Sequence, residues 1–154
     1  METTSNVTPF NILIAEDDDD YIFLFARALN HCRPESVLMR AVNGLEVLTI
    51  LKDESVVLPD LIFLDLNMPL MSGHQCLKEI RNNSLYKEIP IVIYSTSPDE
   101  EDMESTFNEG ADLYIVKSSN TKQNIKVLEK IFCNNMEIFN NRKKENYIYF
   151  ADRL

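Results

Sequence analysis

Glu16 to Asp20 set five carboxylic acids side by side, and acids so crowded repel one another unless something neutralises them. Taken alone, such a run is more often a solvated face than a site. Three other residues change that balance: Asp65, Ser95 and Lys117. Each sits at the end of a short apolar run, in "LIFLDL" (61–66), "IVIYS" (91–95) and "LYIVK" (113–117), while Glu16 and Asp17 directly follow "NILIA" (11–15). If these runs are strands of one parallel sheet, the five residues share one edge of it. Clustered carboxylates are tolerable around a hard cation such as Mg²⁺, which takes one or two of them, keeps waters and leaves room for a phosphoryl group. The chemistry implied is a metal-assisted phosphoryl site.

The elements that must position these residues are legible in the pattern. The four runs are nearly unbroken, as strands buried on both faces require. A weaker run, "VLMRAV" (37–42), makes a fifth strand at an edge. Between and after them, residues 20–31, 44–53, 72–82, 99–109 and 121 to about 140 carry apolar side chains three and four apart, the helical spacing. Strand and helix thus alternate five times. That alternation implies an α/β fold, a doubly wound five-stranded parallel sheet with helices on both faces. Ligands of such sheets bind outside the carboxyl ends of the strands where the order reverses, and for the order 2-1-3-4-5 Asp17 and Asp65 flank that point.

Composition bounds the answer further. The 154 residues, 45% of them hydrophobic, suit a single core, and the net charge of −10 with scattered Lys and Arg argues against nucleic acid as a partner. Residues 1–120 hold 8 basic and 21 acidic side chains, whereas residues 121–154 hold 7 and 4, so the end of the chain differs in character. Cys32, Cys76 and Cys133 have neither metal-ligand nor redox spacing and are expected to be reduced thiols. No secretory leader and no apolar run of membrane-spanning length is evident, so a cytoplasmic protein without a membrane partner is expected.

The stretches "LIAEDD", "FLDLNMP", "IYSTS" and "GADLYIVK" resemble, in order and spacing, the signatures of two-component response regulator receiver domains. The resemblance is nearest to the stand-alone receivers that partner bacterial phytochromes, and it implies the flavodoxin-like receiver fold. It implies a signalling domain that takes a phosphoryl group from a histidine kinase or a histidine phosphotransfer protein, not an enzyme of turnover. By that resemblance Asp65 is the phosphoacceptor, a carboxylate nucleophile. Glu16, Asp17 and Asp65, with the backbone carbonyl of Asn67, would hold Mg²⁺. Lys117 would reach a phosphoryl oxygen, and Ser95 would hydrogen-bond the phosphoryl group once formed. Ser95 and Tyr114 would form the switch that changes the surface of the fourth helix, fifth strand and fifth helix for a downstream protein. Asp18, Asp19 and Asp20 match no metal position; Asp19 or Asp20 is expected to cap the first helix. His31 and His74 match no site position. Where the family usually has Pro after the lysine, this chain has Ser118, and a cis bond there would cost roughly 3 kcal/mol.

Two other readings stay open. A haloacid-dehalogenase-like phosphatase also uses a strand-end Asp, although it needs an acid where Asn67 stands; a receiver-like interaction module would never be phosphorylated. The chain divides into a flexible N-terminus (1–9), a receiver domain (10–135) and a C-terminal extension (136–154). Met136, Phe139, Tyr147, Ile148, Tyr149 and Phe150 make that extension too apolar for a solvated tail. It is expected to pack on the domain or on a second copy, the latter giving a homodimer through the fifth helix and the residues after it.

Overall fold

A computed structural model of the chain describes residues 9–134, 139 and 143–151. Strands β1 (Asn11–Ala15), β2 (Val37–Ala41), β3 (Leu61–Leu64), β4 (Ile91–Ser95), β5 (Leu113–Val116) and β6 (Ile148–Phe150) form one sheet in the order β2-β1-β3-β4-β5-β6. All neighbours pair in parallel. Helices α1 (Asp19–Cys32), α2 (Gly44–Lys52), α3 (Gly73–Arg81), α4 (Glu100–Asn108) and α5 (Thr121–Glu129) connect the strands. Because successive strand residues point to opposite faces, β1 divides its side chains: Leu13 and Ala15 join the core beneath α2 and α3, while Ile12 and Ile14 join the one beneath α1 and α5.

The helices begin where short polar side chains satisfy the free N–H groups of their first turns. Asp18, Asn43, Ser72 and Asn120 each accept a hydrogen bond from a backbone N–H two or three residues on. The cap of α1 is therefore Asp18, not Asp19 or Asp20. The helix starts one residue earlier than its apolar periodicity suggests, because Asp19 and Asp20 in its first turn favour the positive end of the helix dipole. Asp19 also pairs with Arg40 at 2.7 Å.

Three further expectations are corrected by tertiary packing. The fifth helix does not run on as α-helix to residue 140: after Glu129 the chain widens into a π-helical turn, Lys130–Asn134, which carries both Ile131 and Phe132 into the core. Cys32 and Cys133 are joined in a disulfide with Cα atoms 4.9 Å apart, leaving only Cys76 free. Their separation of 101 residues hides from the sequence that the ends of α1 and of the helical segment after α5 lie side by side. On a chain-entropy account such a cross-link stabilises by about 4–5 kcal/mol.

The third correction is the sixth strand. Ile148–Phe150 is too short to declare itself by pattern, and it pairs because β5 would otherwise present an open edge. Ahead of it, Tyr147 is buried against the rings of Phe107 and Tyr114, at 5.1 and 6.1 Å between centroids. The Tyr147 hydroxyl shares a 2.7 Å hydrogen bond with Thr106 on α4, and its carbonyl accepts the N–H of Tyr114 at 2.8 Å. Phe139 packs on the α1 and α5 side, whereas Met136 and residues 1–8 lie outside the described residues. Tyr147→Ala should destabilise the protein by about 3–5 kcal/mol. Thr106→Val, which removes the buried hydroxyl bonded to Tyr147, should cost about 1–3 kcal/mol. Urea unfolding measures both, and a wild-type midpoint for Tyr147→Ala would show that the extension is not part of the folded unit.

Candidate functional site

The carboxyl ends of β1, β3, β4 and β5 bring Glu16, Asp65, Ser95 and Lys117 together. Among the described residues, Glu16, Asp17 and Asp65 offer carboxylate oxygens that all lie within 4.8 Å of one another. Glu16 and Asp65 are buried and Asp17 is exposed. The Lys117 ammonium donates to Glu16 Oε2 at 2.7 Å and stands 3.8 Å from Asp65 Oδ2. Three carboxylates against one ammonium leave negative charge uncompensated, and an oxygen-only donor set of this kind suits a hard divalent cation. Asp18 and Asp19 are engaged elsewhere, as cap and as partner of Arg40, so the five-acid run contributes its first two members to the cluster.

The loop after β3 is held close. The Asn67 N–H donates to Asp65 Oδ1 at 3.4 Å, while the Asp65 N–H donates to the Ala15 carbonyl at 3.1 Å. Gly73 starts α3 so near the loop that a Cβ there would stand 2.2 Å from the Asp65 carbonyl oxygen. Ser95 is fully buried, and its Oγ accepts the Ser97 N–H at 3.2 Å. Tyr114, also fully buried, donates its hydroxyl to the Ser97 carbonyl at 2.9 Å. Ser95 and Tyr114 thus meet at one residue of the β4–α4 loop.

Sequence reasoning missed several contributors. The Ser97 hydroxyl donates to Asp102 at 2.5 Å, and the other oxygen of Asp102 holds His74 at 3.0 Å, so His74 has a specific partner. After Lys117 no cis bond occurs among the described residues. Instead the Ser118 N–H donates to Asn124 Oδ1 at 2.7 Å and Asn124 Nδ2 donates to the Ser118 carbonyl at 2.8 Å, both buried. Tyr21 and Tyr94 face the Lys117 ammonium with their rings, at 4.0 and 4.8 Å to the centroids. The position of Tyr21, one helical turn after Asp17, is the only sequence signal that could have placed it there.

A model of the response regulator receiver domain matches residues 12–129. Response regulator Rcp1 of Synechocystis sp. is 32% identical over 135 residues, spanning 85% of this chain and 91% of the relative. The phosphorylated cyanobacterial phytochrome response regulator RcpA superposes with a TM-score of 0.77 at 29% identity, covering 82% of this chain and 95% of that one. The Mn²⁺-bound form of Rcp1 gives a TM-score of 0.77 at 31% identity over 80% of this chain and 91% of that one.

Burial raises the Glu16 carboxyl to about 7 against the pull of Lys117, and the neighbouring Asp65 adds to the rise. Asp65 is raised as well, first by burial, with Lys117 and the Asn67 N–H opposing. Without metal the folded chain therefore holds a proton at Glu16 that the unfolded chain loses at the ordinary value of 4.5. Stability contributed by this group is present at low pH and falls as pH rises from about 4.5 to about 7. Urea unfolding of wild type and Glu16→Gln in chelator, across that range, isolates the effect. The wild type should lose stability relative to the variant as pH rises; a constant difference would show that Glu16 does not titrate there.

Proposed function

Because the chain belongs to the response regulator receiver family, we propose that it works as a single-domain response regulator, taking a phosphoryl group from a phosphohistidine of a histidine kinase or phosphotransfer protein onto Asp65. The observation that carries this reading is the meeting of three carboxylates and one buried ammonium at a single sheet edge. A carboxylate oxygen of Asp65 attacks phosphorus, the P–N bond of the donor breaks, and the imidazole leaves and takes up a proton. Lys117 stands close enough to Asp65 to meet a phosphoryl oxygen. Glu16, Asp17 and Asp65, with the Asn67 carbonyl, would hold Mg²⁺, which when bound supplies positive charge to the phosphoryl oxygens.

The Ser95 hydroxyl would turn from Ser97 to the new phosphoryl group, and Tyr114, bonded to the same loop, would follow. That biases a two-state equilibrium of the surface made by α4, β5 and α5. The contact of Tyr147 with Thr106 and Tyr114 makes the C-terminal strand part of that surface. No helix among the described residues is long and apolar enough to cross a membrane, and the cytoplasm is the proposed location. For a homodimer the remaining support is the outer edge of β6, where Ile148 is 40% exposed. Light scattering at micromolar concentration should give a dimer; a monomer refutes it.

Acetyl phosphate with Mg²⁺ should label the wild type once per chain, and Asp65→Asn should abolish the label. Full labelling of that variant would sink the assignment, and steady release of phosphate from small phosphoesters would favour a phosphatase. Asp17→Asn should weaken Mg²⁺ binding, whereas Asp19→Asn should leave it unchanged; calorimetric titration that found the two alike would remove the case for Asp17.

A further inference from the structure

Lys117 is held in an unusual way. Its side chain is 1% exposed, so the ammonium has lost its water, yet among the described residues its only hydrogen-bond acceptor is Glu16. Apart from Asp65 Oδ2 at 3.8 Å, the nearby faces are aromatic: Tyr21, from the first turn of α1, lies 4.0 Å away, and Tyr94, from β4, lies 4.8 Å away. The two rings meet edge to face at 77°, with centroids 6.3 Å apart, so each helps to orient the other. Tyr94 is buried and its hydroxyl has no hydrogen-bond partner among the described residues. What Tyr94 presents to the ammonium is its ring face.

From this arrangement we infer that the rings of Tyr21 and Tyr94 form a clamp holding the Lys117 ammonium at the carboxylate cluster. As a mechanism of phosphotransfer it rests on the reading of Asp65 as phosphoacceptor. A desolvated ammonium needs partners, and a carboxylate partner neutralises the charge it holds. An aromatic face does not: it attracts the cation through its quadrupole and stays neutral. Were Glu16 to turn to a bound metal ion, the rings would remain with the ammonium and leave its charge to face the phosphoryl group. Ser118 and Asn124 fix the backbone on the far side of Lys117, so backbone and ammonium are each positioned by groups this chain supplies. Tyr21 and Tyr94 are on this view positioning residues that act through Lys117.

Two readouts test the clamp. Proton NMR of the full chain should show the Lys117 ε-methylene shifted upfield by ring currents, and the shift should shrink in Tyr21→Leu and in Tyr94→Leu but persist in Tyr21→Phe and Tyr94→Phe. Labelling by acetyl phosphate at saturating Mg²⁺ should slow about tenfold in each Leu variant, which converts to ~1.4 kcal/mol. The Phe variants should stay within about twofold of wild type, since a face of the same shape remains. Tyr94→Leu opens space in the core, but Tyr21 is only half-buried and its variant keeps the fold testable. An unshifted ε-methylene in the wild type, or Leu variants labelled at the wild-type rate, would overturn the clamp. A wild type with the shifted ε-methylene that takes no label would uphold the clamp and overturn the phosphoacceptor reading instead.

Discussion

The ion pair between Glu16 and Lys117 is the constraint on which the rest of the site depends. It joins the end of β1 to the end of β5 across the two strands between them, at 2.7 Å and almost without water. Removing one partner of such a pair typically costs 3–5 kcal/mol, because the other is left charged and buried. The pair therefore survives only where further groups share its charge. Asp65 and Asp17 bring negative charge to one side, and the rings of Tyr21 and Tyr94 face the ammonium on the other. Desolvation is what raises Glu16 and Asp65, and the same desolvation makes the cluster attractive to a cation.

From that centre a chain of short contacts runs to the surface. Ser97 receives the Tyr114 hydroxyl on its carbonyl, gives its N–H to Ser95 and gives its hydroxyl to Asp102, which in turn holds His74 on α3. Tyr114 is bound from its other side by Tyr147, which reaches Thr106 on α4. On the proposed reading, a change at Ser95 would have a continuous set of hydrogen bonds and rings through which to bias α4, β5 and the C-terminal strand. Each link is a packed or hydrogen-bonded contact between two named groups.

The departure of this chain from the family's usual proline after the lysine has a local remedy. A trans Lys117–Ser118 bond leaves an N–H that a proline would lack, and Asn124 satisfies both that N–H and the Ser118 carbonyl. The reciprocal pair holds the turn between β5 and α5 while the ammonium is oriented by aromatic faces.

The sequence by itself determined the alternation of buried strands and amphipathic helices, while the order of the first five strands came with the resemblance to receiver domains. It also placed Glu16, Asp17, Asp65, Ser95 and Lys117 at strand ends, because the period of side chains along a strand and the position of polar residues after an apolar run are local properties. What it left undecided were contacts between distant segments. The Cys32–Cys133 bond spans 101 residues, the strand Ile148–Phe150 gains its partner only from the open edge of β5, and the π-helical turn follows from the need to bury Ile131 and Phe132 together. Tyr21 and Tyr94 read as ordinary apolar positions of a helix and a strand. Only the folded sheet brings their rings to Lys117, since burial and the meeting of charge with an aromatic face are properties of the assembled core rather than of any stretch of chain.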